Sequence, residues 1–462
     1  MTSPSPGDEG VRHTTGAVAP LGAARFLVVG LGVTGRAMVV ALRVRGFDVV
    51  AVEDRADAAT AGARSEELGI EVHGGPDDRR LAALVSSVDV VLPSPGVPDR
   101  HPVFALAAAA GVGVASEFDL AAAWDDRPRL AVTGTNGKTT VCEMTAAMLV
   151  ASGIRVATVG NTETPLVAAI DDASVDVFVV EASSFRLGHS ARFVPRVATW
   201  LNFAPDHLDA HRDLAAYEAA KASIWADPHV RLAVANADDP VVLRNRNPAV
   251  ETRTFGLGGD ADYGLRDDRL VLPDGATLLA AGDLWRRHPH DIANGLAAAA
   301  TALGGGASLD GVRSALRTFR PGAHRLEPVA EAGGITWIDD SKSTSPHSTL
   351  AAIRSFDSVV LIAGGRNKGL DLSPLAAGSG HLRAVVAIGD AAGEVHSALA
   401  GHVPVRRADS MEEAVHHAAA AARQGDVVLL SPGCASFDWY GSYHERGLDY
   451  VATVRRHLGT GT

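Results

Sequence analysis

Three α/β domains in tandem are what this 462-residue sequence predicts. Length alone accommodates about three domains. Two apolar segments, 26–29 and 130–132, each run into a glycine-punctuated turn followed by a helical stretch. Beyond residue 322, apolar strands at 336–338, 359–362, 385–388 and 427–430 alternate with helical segments, the pattern of a further α/β unit.

Composition narrows the class. A 47% hydrophobic content and a mean hydropathy of +0.10 are ample for large cores. The net charge of −12 argues against a nucleic-acid or anionic-membrane surface, so anionic ligands need local basic sites. Two cysteines far apart, Cys142 and Cys434, make neither a disulfide framework nor a cysteine-rich zinc site and read as buried thiols. Residues 1–22 form a polar Pro/Gly/Thr-rich extension, expected to be disordered, with no apolar signal core. No uncharged run of about 18 apolar residues occurs, so a soluble, cytoplasmic protein is expected.

In the first unit, the strand at 26–29 meets Gly30-Leu31-Gly32-Val33-Thr34-Gly35, a helix follows to about Arg45, and a second strand ends at Glu53-Asp54. Taken alone, this G-x-G-x-x-G with a downstream acid is a dinucleotide fingerprint and suggests an NAD-dependent dehydrogenase. A strand at 88–92 ends at Ser94-Pro95-Gly96-Val97, and a short one follows at 113–114. A ligand of this small doubly wound sheet belongs at its C-terminal strand ends, near Val33, Thr34, Asp54, Arg55, Ser94 and Gly96.

The second unit holds the stretch that organises the chain, Thr133-Gly134-Thr135-Asn136-Gly137-Lys138-Thr139-Thr140. Strand, loop and helix point backbone N–H groups and a helix N-terminus at phosphate. Lys138 suits the β/γ-phosphates and Thr139 a Mg²⁺ ion. The general P-loop pattern requires glycine where Val132 stands, so the match fails by one position. A helix is expected over 141–152. Downstream, the strand at 175–180 ends at Glu181, placed as a Mg²⁺-holding carboxylate is beside a phosphate loop. The strand at 196–201 runs into Asp206-His207-Leu208-Asp209, and Lys221 lies in a helical stretch at 217–224, where a snorkelling surface lysine is the simplest interpretation. His290, Asp291 and Asn294 occupy the first turn of a further helix, as caps or as adenine and ribose contacts.

Together these motifs resemble the Mur ligase superfamily. The carriers are the 133–140 loop, Glu181-Ala-Ser-Ser-Phe-Arg-Leu187, Asp206-His-Leu-Asp209, Tyr217 with Lys221, and His290 with Asn294. Arg320-Pro-Gly-Ala-His-Arg-Leu-Glu327, Asp339-Asp-Ser-Lys-Ser-Thr344, Gly364-Gly-Arg-Asn-Lys-Gly369 and Leu430-Ser-Pro-Gly-Cys-Ala-Ser-Phe-Asp438 are similar to the branch that adds D-glutamate to UDP-N-acetylmuramoyl-L-alanine. The resemblance spans about residues 24–455.

It implies a Rossmann-like UDP-binding domain at 23–114, a P-loop ATPase-like ATP-binding domain at 115–321 and a Rossmann-like amino-acid-binding domain at 322–462. The first glycine turn then holds UDP rather than NAD, through Val33, Thr34, Asp54, Arg55, Ser94 and Gly96, with Asn161 and His207 near the sugar and acyl end. ATP falls to residues 134–140 (Gly134, Thr135, Asn136, Gly137, Lys138, Thr139 and Thr140) and to Asn294, Arg325, Asp340 and Lys342. Thr139 and Glu181 hold one Mg²⁺, and His207 with a carbamylated Lys221 a second, since a carbamate supplies the oxygen ligand an ammonium lacks. Thr344, Lys368, Ser436 and Tyr443 surround the incoming glutamate. Lys138, His207 and Lys221 form the implied catalytic set. The implied reaction is an acyl-phosphate-forming amide ligation in peptidoglycan precursor synthesis, by a monomer. Domain closure is expected, with hinges near Ala115 and Pro321-Gly322. Three positions depart from the family pattern: Glu163, Asp291 and Tyr443.

Alternatives are an L-glutamate-adding variant and another Mur or folylpolyglutamate-type ligase. From different classes come an NAD-dependent dehydrogenase, which leaves the middle motifs idle, and an inactive nucleotide-binding module, which does not need Lys138, Glu181, His207 and Lys221.

Overall fold

The computed structural model describes residues 22–208 and 210–459. The extension at 1–22 thus lies outside the described residues except for Gly22, as does Asp209.

Three parallel-stranded α/β sheets follow one another. The first is five-stranded, in spatial order Glu71–Gly74, Asp48–Glu53, Arg25–Val29, Val90–Pro93 and Gly113–Val114. Chain order reverses at Arg25–Val29, whose Val29 pairs with Val52 on one side and Pro93 on the other. That reversal opens a crevice at the C-terminal strand ends. Gly35 is obligatory there: a Cβ would meet the Gly30 carbonyl oxygen at 1.9 Å.

The second sheet is six-stranded and wholly parallel. Its order is Thr252–Phe255, Leu232–Asn236, Val197–Trp200, Arg129–Thr133, Val177–Glu181 and Val156–Gly160. Register brings Thr133 beside Trp200, Val132 beside Glu181 and Glu181 beside Gly160, so the chemistry-bearing ends share one edge. The helix after the glycine loop runs Lys138–Ala151, three residues earlier than expected, and Thr139 and Thr140 are helical. A small antiparallel sheet, Gly264–Arg266, Arg269–Val271 and Thr277–Ala280, had no counterpart in the sequence expectation. Its strands are three or four residues long, too short for a period to register.

The third sheet carries one antiparallel edge strand, Glu327–Ala332, followed in space by Ile335–Asp339, Val427–Gly433, Val359–Gly364, Leu382–Ile388 and Val405–Ala408. The two edges, EPVAEA and VRRA, have too few apolar residues to read as strands. Among the described residues no helix is long and apolar enough to cross a membrane.

The first two sheets share one hydrophobic core. Phe26, Val28 and Met38 are contiguous with Phe118, Val159, Leu166, Phe178 and Trp200. Ala115, expected at a hinge, is 5% exposed, and its N–H donates to the Val91 carbonyl. Movement there would break that core; the Pro321-Gly322 connection, the other expected hinge, is partly exposed. The third sheet has two cores of its own, built around Leu361 and Ile362.

A buried ion pair within the second unit holds an arginine that reaches across to the first. Arg186 Nε donates to Glu117 Oε1 at 2.9 Å, with side chains 5% and 1% exposed. The guanidinium continues to Thr34 Oγ1 at 2.9 Å and Asn161 Oδ1 at 3.1 Å. Burial pushes the Glu117 pKa up against the pull of Arg186, so the pair orients more than it stabilises. Glu117→Ala, which strands the cation, should therefore cost about 3–5 kcal/mol of stability, whereas Glu117→Leu with Arg186→Met should be close to neutral. Urea unfolding midpoints test this; a harmless single substitution contradicts it.

Candidate active site

The loop 133–140 is shaped by two glycines with positive φ, Gly134 (+156°) and Gly137 (+84°). At Gly137 a Cβ would strike Asn294 Oδ1 at 2.8 Å, so the missing side chain lets the helix Pro289–Gly304 approach the loop. Asn202 clamps the loop from the neighbouring strand end: its Oδ1 accepts the Asn136 N–H at 2.9 Å, and its Nδ2 donates to Asn136 O at 3.1 Å.

Two lysines converge behind it. Lys138 Nζ donates to the carbonyls of Gly134 and Thr135, both at 2.9 Å. Lys221, on the helix Leu214–Ala222, donates to the same Gly134 oxygen at 2.8 Å and lies over the Tyr217 ring at 4.6 Å. It is 1% exposed, so the snorkelling surface lysine of the sequence analysis does not exist. Burial, with Lys138 as a second cause, drives the Lys221 pKa well below its ordinary value. Lys138 is also lowered by burial, against the pull of Glu181 and Asp206.

Glu181 is 3% exposed. Its Oε1 accepts from Asn161 Nδ2 at 2.8 Å, while Oε2 is buried with no partner. A buried carboxylate oxygen without a partner beside a phosphate loop is what a hard divalent cation satisfies. His207 adopts φ +55°, its ring edge-on to Phe185 at 5.0 Å and its Nε2 3.6 Å from Asp206 Oδ2. Burial, with help from Lys138, Lys221 and Lys368, pushes its pKa down to about 4, so the imidazole is neutral, its ligating form.

Three cavities meet this edge. One of about 460 Å³, at the first glycine turn, gathers every residue expected to hold UDP: Val33, Thr34, Asp54, Arg55, Ser94, Gly96 and Asn161. Glu53 lines the same cavity beside Asp54 and accepts from Leu31 N–H at 2.9 Å and Arg64 at 2.5 Å. Another, of about 180 Å³ between the second and third sheets, brings together Asn136, Gly137, Thr140, Asn294, Arg325, Asp340 and Lys342 of the expected ATP set. Gly134, Thr135, Lys138 and Thr139 lie outside its walls. A third, of about 820 Å³, was not foreseen and includes Asp99, Ser184 and His211.

Asp291, which stands where an amide was expected, is bound by Arg286: Nε to Oδ2 at 2.5 Å and Nη2 to Oδ1 at 2.8 Å. Arg286 also lines the ATP-side cavity and was missed, because nothing local marks it. Arg186 was missed although it lies inside a quoted motif. Glu163 is exposed, and nothing in the structure explains it. Both cysteines are buried and free.

Thr344, Lys368, Ser436 and Tyr443 sit on separate segments of the third unit. Two of these are joined by paired backbone bonds between Arg366 and Ala435. Ser341 Oγ donates to the Tyr443 carbonyl at 2.7 Å, and Lys342 Nζ lies 5.0 Å over the Tyr443 ring. Asn136 Nδ2 meets His347 Nδ1 at 2.8 Å, so the phosphate loop touches the third unit directly.

Burial pushes Asp340 up to about 6, despite hydrogen bonds from Ser343 at 2.5 Å and Ser431 at 2.8 Å. An acid with a raised folded pKa holds its proton more tightly when folded. Its contribution to stability is thus present below pH ~4 and lost as pH climbs towards ~6. Asp340→Asn should flatten that segment of a pH series of unfolding midpoints; an unchanged slope contradicts the assignment.

Comparison with known proteins agrees with this layout. Family models match in series: Mur ligase MurD-like, N-terminal domain, at 24–116; Mur ligase middle domain at 132–283; and Mur ligase, glutamate ligase domain, at 324–434. The UDP-N-acetylmuramoylalanine--D-glutamate ligase of Frankia casuarinae is 44% identical over 458 residues, covering 94% of each chain. The enzyme of the same name from Thermobifida fusca is 39% identical, covering 94% of this chain and 99% of its own. In fold, the chain is similar to a pseudomurein peptide ligase type C from Methanothermus fervidus, with a TM-score of 0.59 at 18% identity, over 94% of this chain and 100% of that one. With relatives of this identity along nearly its whole length, the chain belongs to the Mur ligase family.

Proposed function

We propose that this chain is an ATP-dependent amide ligase that adds D-glutamate to UDP-N-acetylmuramoyl-L-alanine in peptidoglycan precursor synthesis. The observation that carries the proposal is Asn161. It lines the cavity at the first glycine turn and donates to Glu181 beside the phosphate loop, so a ligand anchored by its nucleotide there can extend its far end to the loop. A dehydrogenase has no use for that path.

The L-alanyl carboxylate attacks the γ-phosphorus of ATP, and ADP leaves. The acyl phosphate is then attacked by the free amine of D-glutamate. A tetrahedral intermediate collapses to the amide with loss of phosphate. Lys138 aligns and neutralises the transferring group, which is most of what phosphoryl transfer asks of a protein. Asn294, Arg325, Asp340 and Lys342 hold the nucleotide across the cleft. Lys368 and Thr344, with Ser436 and Tyr443, grip the glutamate; a cation with hydroxyl groups suits an acidic amino acid.

Thr139 and Glu181 would hold one Mg²⁺, and His207 and Lys221 a second. Mg²⁺ supplies charge neutralisation at the phosphates when bound. Lys221 suits that role as a carbamate, because burial favours the neutral amine, the form that adds CO₂. The hinge at Pro321-Gly322 carries the third unit, and with it the glutamate, towards the other two.

Purified protein with ATP, Mg²⁺ and UDP-N-acetylmuramoyl-L-alanine should release phosphate in a D-glutamate-dependent manner and yield an amide by mass. Release only with L-glutamate, or with neither, would overturn the assignment of the acceptor. CO₂-free buffer should lower kcat, bicarbonate should restore it, and Lys221→Ala should lose about 100-fold or more without such rescue.

A further inference from the structure

The loop that carries Ser94 and Gly96 faces the nucleotide cavity on one side and the central domain on the other. Asp99, on that second side, donates its N–H to the Ala210 carbonyl at 2.9 Å, and its Oδ2 lies 3.1 Å from His211 Nδ1. His211 is 5% exposed, and its Nε2 is 2.8 Å from Ser184 Oγ. With Nδ1–H donated to the carboxylate, Nε2 accepts the Ser184 hydroxyl. The His211 ring stacks on Phe185 at 5.2 Å and 5°, and Phe185 in turn presents itself edge-on to His207 at 5.0 Å. The His211 N–H closes the turn by donating to the His207 carbonyl at 3.0 Å. His207 has a left-handed backbone, φ +55°, a conformation that persists only where its surroundings impose it.

We propose that His211, oriented by Asp99, is a positioning residue for the ligase reaction. It fixes Phe185 and the strained His207 turn, and it couples the loop of the substrate cavity to the metal side of the phosphate loop. This rests on the assignment above and on the place of His207 in it. The Ser184–His211–Asp99 order is also that of an acyl-transfer nucleophile. Ser184 is 2% exposed, however, and both Phe185 and Tyr217 crowd the imidazole at 5.2 Å, which favours orientation over attack.

The test uses the full chain with His211→Gln, which keeps the reach to Ser184 and loses Asp99, with Asp99→Asn, and with both together. Turnover gives kcat and each KM. Mn²⁺ binding in the presence of a non-hydrolysable ATP analogue, followed by electron paramagnetic resonance, needs no turnover. It therefore judges the relay even if a different amino acid proves to be the acceptor. Each single variant should lose about tenfold in kcat and about tenfold in Mn²⁺ affinity, with KM for D-glutamate unchanged. The double variant should be no worse than the weaker single, because both act through one chain of contacts. If His211→Gln does not fold, Asp99→Asn carries the same readouts, its carboxylate being 29% exposed. Wild-type Mn²⁺ affinity and kcat in the folded variants, or additive losses, would overturn the proposal. So would covalent labelling of Ser184 by a fluorophosphonate probe.

Discussion

Two lysine nitrogens converge on one carbonyl oxygen. Lys138 and Lys221 both donate to Gly134 O, at 2.9 and 2.8 Å, inside a protein wall that admits almost no water to Lys221. Burial above all holds both lysines below their ordinary pKa, and at Lys221 the charge of Lys138 adds to it. The arrangement is stable only with anionic company, which Glu181 and Asp206 supply in part. The positive φ at Gly134 turns its carbonyl towards the two cations, and the aligned strand ends at Thr133 and Glu181 bring the carboxylate close.

Much of this was legible in the sequence because chemistry demanded particular residues at local spacing. The glycine loop announced itself although Val132 breaks the general pattern, since glycine, lysine and threonine still sit at a strand-to-helix turn. All seven residues expected around UDP line one cavity, since strand ends carry their loops to one edge. The rest depended on contacts that no local window contains. Asp99 meets His211 across 112 positions, and Arg186 reaches Thr34 across 152. Arg286 has no signature until Asp291 faces it. The edge strands Glu327–Ala332 and Val405–Ala408 lack an apolar period because their outer sides meet solvent.

The three units are not equal partners. The first two share a core around Phe26, Phe118 and Trp200, and Arg186 of the second donates to Thr34 of the first. The cavity at the first glycine turn and the loop 133–140 therefore sit on one continuously packed body. The third unit meets them through softer contacts, such as Asn136 with His347 and Arg286 with the carbonyls of Arg325 and Leu326. Those contacts can open without tearing apolar packing.

The separate cores of the third unit bear on how such a protein diversifies. A piece comprising only the first sheet would carry a bare apolar face to which Phe26 and Val28 contribute. It cannot be traded between proteins without its neighbour. The third sheet closes its own interior, with Leu361 and Val385 on one face and Ile362 and Val386 on the other. A unit that buries its own apolar faces can be exchanged without laying bare the core of its neighbours.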